Sequence, residues 1–134
     1  MSRPPIALQL YSVRDEAARD LPGTLAKVAA MGYEGVEFAG FHGHEPREIK
    51  KILDELDLLA AGTHTPIDHL SDDKIEDTVE AHKILGTPFV IVPWMPVEKR
   101  NSVAALAETT AELSRLTDRL ALDGLRLGFH AHGD

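Results

Sequence analysis

Short, β-rich apolar runs alternate with amphipathic helical stretches along all 134 residues, and that alternation most limits what the chain can fold into. Residues 6–13 (IALQLYSV) form the first run, with a polar loop expected at 14–19. Asp20-Leu21-Pro22 has the signature of a helix start; Leu21, Leu25, Val28 and Ala29 form its stripe, and Gly32 is placed to end it in a left-handed cap. A strand is expected over 34–38. A second helix opens at Glu45-Pro46 with Ile49, Ile52, Leu53 and Leu56 inward, and a third strand covers 58–63. Ser71-Asp72-Asp73 reads as the N-cap of a helix that ends at Gly86. The continuous apolar run at 88–92 (PFVIV) predicts a strand covered on both faces. Asn101 or Ser102 caps a fourth helix with Val103, Leu106, Leu113, Leu116 and Leu120 on its buried side. Leu125, Leu127 and Phe129 then alternate with period 2 as a fifth strand.

The order β-α-β-α-β-α-β-α-β implies parallel strands joined by right-handed crossovers. Two α/β architectures fit: an open doubly wound sheet, complete with five strands, or a (β/α)8 barrel. A complete barrel typically needs about 250 residues, so this chain would supply five strands and four helices of one. Side-chain parity favours the partial barrel. One class is apolar (Leu8, Leu10, Val36, Phe38, Leu125, Leu127, Phe129); the other is polar or aromatic near the strands' C-terminal ends (Gln9, Tyr11, Glu37, His64, Trp94, His130, His132). Helices over one face and a polar mouth on the other is the pattern of a barrel. With no linker or low-complexity tract, residues 1–134 read as one domain, the N-terminal part of such a barrel.

The net charge of -8 repels phosphate backbones, so nucleic acid is a poor partner. The chain has no cysteine, hence no disulfide framework and no thiolate chemistry. No signal-peptide pattern precedes the first strand, and no apolar run approaches the roughly 20 residues of a membrane helix. A cytoplasmic protein with no membrane partner is expected; a homo-oligomer is open.

His130 and His132 share one face at the C-terminal end of the fifth strand, where parallel α/β folds bind ligands, and a pair of imidazoles at i, i+2 can hold a metal or flank a substrate. Glu37 lies in an otherwise apolar strand, where a carboxylate needs a partner or a task. It is a candidate acid/base group, as are His64, which closes the third strand, and His130. Gln9 and Tyr11 are candidates for bonding substrate hydroxyls, and Trp94 for an apolar wall against a sugar ring; core packing is the alternative for Trp94. His42, His44 and His69 read as solvated loop residues. No dinucleotide glycine motif, Walker loop, nucleophile elbow or zinc-protease helix occurs.

Together LQLYSVRD (8–15), LAKVAAMGYEGVEFAGFHG (25–43), AAGTHTP (60–66), LGTPFVIVPW (85–94) and LRLGFHAHGD (125–134) resemble the sugar phosphate isomerase/epimerase family, the xylose isomerase-like barrels. The resemblance implies a divalent metal (Mn, Mg or Zn) at the barrel mouth and proton transfer next to a carbonyl of a sugar, sugar phosphate or cyclitol. It places His130, and His132 with it, among metal or substrate ligands. The family's first metal ligand at this position is a glutamate; related members carry His-Asn-His where this chain has Ala131 in the middle. The remaining ligands would come from strands beyond this chain, so the resemblance implies an N-terminal fragment. Two other readings remain: a non-catalytic carbohydrate-binding half-barrel working as a dimer or with a partner subunit, and a DNA-repair endonuclease on the same barrel, disfavoured by the acidic charge.

Overall fold

The structure is a computed structural model that describes residues 3–132; Gly133 and Asp134, the last residues of the fifth-strand motif, lie outside them. Five strands, β1 (Ala7–Gln9), β2 (Gly35–Phe38), β3 (Leu59–His64), β4 (Phe89–Val92) and β5 (Arg126–Phe129), form one sheet. Every neighbouring pair is parallel, and the spatial order is the chain order, β1-β2-β3-β4-β5. That order decides between the two architectures. A doubly wound sheet reverses direction part-way so that helices reach both faces. Right-handed crossovers that always step the same way keep every helix on one face, as in a segment of a barrel wall.

The helices are α1 (Arg14–Arg19), α2 (Leu21–Ala30), α3 (Pro46–Glu55), α4 (Ile75–Leu85) and α5 (Val103–Ala121), one more than expected. The extra one, α1, replaces the polar loop. Asp15 and Glu16 lie in its first turn, Arg19 in its last, and Ala17 is buried. The strand expected over 6–13 stops at Gln9 because the Gln9 side-chain oxygen accepts from the Tyr11 backbone N–H and turns Leu10–Val13 into a 3-10 helix. Asp20 caps α2 through Gly23 N–H (2.9 Å), and Gly86 ends α4 at φ +73°. Ser71 does not cap α4. Its hydroxyl donates to the Asp68 carbonyl and the Asp73 carboxylate, closing a turn, and the helix begins only at Ile75.

The helix-covered face of the sheet is the core. Val36, Phe38, Val90 and Val92 are fully buried there, with Leu21, Leu25, Ile49 and Leu53 on one side and Leu70, Val79 and Leu120 on the other. The opposite face is open at its base: Leu59 is 57% and Phe89 42% exposed. The apolar run of β4 is therefore covered on one face, not two, because all the helices lie on the other. On α5, Ser102 is the cap and Leu120 is buried, but Val103 (86% exposed) and Leu106 (49%) face solvent and Thr109 is buried instead. The sheet underlies the end of α5 next to β5, so the expected stripe is buried only toward that end. Phe129, placed by parity with the core, is half exposed on the last strand for the same reason.

Candidate active site

Three of the polar side chains expected at the mouth come from aligned rungs of the sheet. Gln9 is in register with Glu37, and Glu37 with Gly62, after an irregularity at Val36/Glu37 that shifts β3 by one residue. The shift leaves His64, two residues beyond Gly62, on the same face as Glu37. Gly62 has its own reason. A Cβ there would approach the tip of Ile91 to 2.9 Å and the Glu37 carboxylate to 3.6 Å, so a bare backbone keeps the floor of the site open.

The centre is a relay of hydrogen bonds. The Tyr11 N–H donates to Gln9 Oε1, which leaves the Gln9 amide nitrogen facing His64 Nδ1 at 3.1 Å. His64 Nε2 lies 3.0 Å from Glu37 Oε1. The Gln9 nitrogen is also 3.2 Å from Nε2, so the tautomer is set by the Glu37 carboxylate, which only accepts: Nε2 carries the proton given to Glu37, and Nδ1 accepts from Gln9. The His64 side chain is 11% exposed and that of Glu37 25%. Burial holds the imidazole below its ordinary pKa; the Glu37 carboxylate pulls the other way, and His130 and His132 reinforce the lowering. The site therefore presents a neutral imidazole and a carboxylate sharing one proton, the pairing that general acid/base transfer uses.

The His130 ring centre is 5.3 Å from that of His64 and 5.0 Å from that of His132. His132 donates through Nε2 to the Pro93 carbonyl (2.9 Å). Gln9, Tyr11, His64, Trp94, His130 and His132 line one cleft of about 480 Å³, together with Ser12 and Pro93, which the sequence did not single out. His64 and His130 both line the cleft, whereas Glu37 is not one of its walls and meets it through its 3.0 Å contact with His64. Trp94 is 57% exposed and serves as a wall of the cleft rather than as core. Tyr11, on the 3-10 turn instead of a strand, is 58% exposed, with the Arg14 guanidinium 4.4 Å above its ring. His42 is exposed in a left-handed conformation (φ +51°), and His44 pairs with Glu48 at 3.1 Å; neither joins the cleft.

A second polar cluster was not anticipated. His82 on α4 is 2% exposed; its Nδ1 donates to the Thr78 carbonyl (2.7 Å) and its Nε2 accepts from the Thr63 hydroxyl (2.5 Å), which also meets the Thr65 hydroxyl at 3.1 Å. Burial lowers the His82 pKa. This cluster ties α4 to residues 63 and 65, on either side of His64. A histidine within the apolar stripe of α4 was the one available sign.

The donor set does not make a metal centre by itself. Among the described residues no three His, Cys, Asp or Glu side chains are grouped to hold an ion, and three protein ligands are the ordinary minimum for zinc. His132 Nδ1 is free to ligate, since a ligating histidine commonly gives its other N–H to a backbone carbonyl. His130 and His132 are therefore a pair that needs further ligands.

No family model matches the sequence, and no curated protein matches it. Solved structures do. A sugar phosphate isomerase/epimerase from Parabacteroides distasonis ATCC 8503 superposes with a TM-score of 0.71 at 21% identity, over 96% of this chain and 51% of that one. An AP endonuclease of family 2 from Brucella melitensis gives 0.70 at 16%, over 94% and 55%. The IolI protein, solved with a bound zinc atom, gives 0.69 at 12%, over 94% and 51%. The chain has their fold. It is a partial (β/α)8 barrel and spans about half the length of the structures it matches. An isomerase and an endonuclease match almost equally well, so the fold does not choose the chemistry and the cleft must. Among the described residues no helix is long and apolar enough to cross a membrane.

Proposed function

We propose that this chain is the N-terminal part of a cytoplasmic barrel enzyme that isomerises, epimerises or dehydrates a sugar, sugar phosphate or cyclitol by moving a proton at the carbon next to a carbonyl. The observation that carries this reading is the 3.0 Å contact between Glu37 and a mostly buried, neutral His64 at the barrel mouth. Glu37 takes the proton from carbon, and the single N–H of His64, given to that carboxylate, holds it in place. Gln9 donates to His64 and, as a wall of the cleft, also bonds substrate hydroxyls. Tyr11 and Trp94 wall the sugar, and His130 and His132 bond its hydroxyls at the rim. A divalent metal at His130 and His132 belongs to the same proposal, with its remaining ligands supplied from outside the described residues. When bound it would polarise the carbonyl.

The test is solvent-proton exchange. The intact gene product is incubated in D2O with Mn²⁺ and a panel of ketoses, inososes and keto-sugars, and deuterium at the carbon next to the carbonyl is read by NMR. Exchange that falls about a hundredfold in Glu37→Gln is expected. A panel without exchange, or exchange untouched by Glu37→Gln, removes the assignment; sugar binding without exchange would instead favour the non-catalytic half-barrel.

A further inference from the structure

A second chamber of about 400 Å³ opens beside the cleft, and Tyr11, His64 and Pro93 are walls of both. Its other walls are Ala39, Gly40 and Phe41 after β2, Thr65 and Pro66 after β3, and Ala81 and His82 on α4, with His69 at its exposed lip. We infer that the ligand has two parts: a polyol ring in the first cleft against His64, and an apolar substituent, such as an aryl group, that occupies this second chamber. The inference rests on the sugar reading of the cleft.

The side chains of Tyr11 and His69 lie at the exposed rim of the chamber, and the buried polar groups of its walls bond one another. His82 uses both ring nitrogens on Thr78 and Thr63, the Thr78 hydroxyl donates to the His69 carbonyl (2.8 Å), and Thr63 and Thr65 share their hydroxyls. Among the described residues no buried side-chain nitrogen or oxygen is left without a partner. Among the described residues no lysine or arginine lines the chamber. A phosphate or carboxylate would lose its hydration there without gaining a cation. An apolar group would displace water from Phe41, Pro66, Ala39 and Ala81 at no cost in hydrogen bonds. Size agrees, since an apolar cavity of about 150 Å³ already accommodates benzene, and the chamber exceeds that. A free monosaccharide needs only the first cleft.

The experiment compares phenyl and methyl β-D-glucopyranoside, with phenol alone, by ¹H–¹⁵N NMR titration of the intact gene product. The phenyl glycoside is expected to bind about tenfold tighter or more and to shift the amides of Ala39, Phe41 and Ala81. Ala81→Leu, which fills the chamber from α4 without touching the first cleft, is expected to erase that preference and leave the methyl glycoside unchanged. Ala39→Val, from the opposite wall, repeats the test should Ala81→Leu fail to fold. Equal affinities for the two glycosides, or a preference that survives the filled chamber, overturn the inference while leaving the sugar site standing. Phenol shifting the chamber amides while neither glycoside reaches the cleft supports an apolar chamber and removes the sugar reading on which the two-part ligand depends.

Discussion

Thr63→Val tests whether the buried His82 cluster is a closed hydrogen-bond circuit. Val is nearly isosteric with Thr, so the perturbation is loss of one hydroxyl. Thr63 and His82 are each 2% exposed, so no solvent replaces the missing partner. His82 Nδ1 is committed to the Thr78 carbonyl, so the lone pair of Nε2, 2.5 Å from the Thr63 hydroxyl, is what loses its donor. An orphaned buried acceptor costs about 1–3 kcal/mol. His82→Leu leaves the Thr63 hydroxyl only its neighbour Thr65, 3.1 Å away, and costs the bond to the imidazole plus any change in packing. Thr63→Val with His82→Leu orphans neither, so the double variant should cost no more than the worse single one. That gives a coupling of about 1–2 kcal/mol, in the range found for groups sharing one network. Urea melts at pH 7.5, where the imidazole is neutral, measure all four proteins. Additivity to within about 0.5 kcal/mol, or a Thr63→Val cost below that, refutes the circuit.

The same burial gives a pH dependence. His64 and His82 both have folded pKa values below the ordinary imidazole value of about 6.5, so the unfolded chain binds protons more readily. Their contribution to stability is complete above that value and is lost as pH falls through the lowered ones. The urea midpoint should drop between pH 7.5 and 5, and His82→Leu should flatten the drop; an equal drop in that variant would contradict the assignment. Gly35→Ala should cost more than Gly62→Ala, about 1–3 kcal/mol. A Cβ at Gly35 meets the Leu59 backbone carbonyl at 2.8 Å, whereas at Gly62 it meets the movable end of Ile91; thermal melts giving the reverse order would show the β2–β3 spacing to be wrong. Glu37→Gln should lower the His64 pKa further, because Glu37 raises it. A long-range ¹H–¹⁵N titration of the ring reads this, and a rise would mean the carboxylate does not face the imidazole.

Elements came from the sequence wherever a residue acts on its own neighbours. Asp20 and Ser102 cap helices through hydroxyl or carboxylate oxygens three residues away, Gly86 takes the left-handed turn, and the period-2 runs at 35–38 and 126–129 are strands. The sequence missed α1 and the turn after Gln9, where a side chain competing for a backbone N–H overrides β propensity. Parity also named most of the cleft, because alternation along a strand fixes which side chains share a face. It did not supply the distances. That Gln9 holds His64 from 55 residues away, that His64 meets Glu37, and that His82 locks the residues on either side depends on the lateral order and register of strands distant in the chain. Such pairing is set by burying the apolar face of every strand under the helices at once, and no local pattern encodes it. The second chamber is likewise a product of packing: it is the space between the segments that follow β1, β2, β3 and β4 and the helix α4, and none of its walls announces it alone.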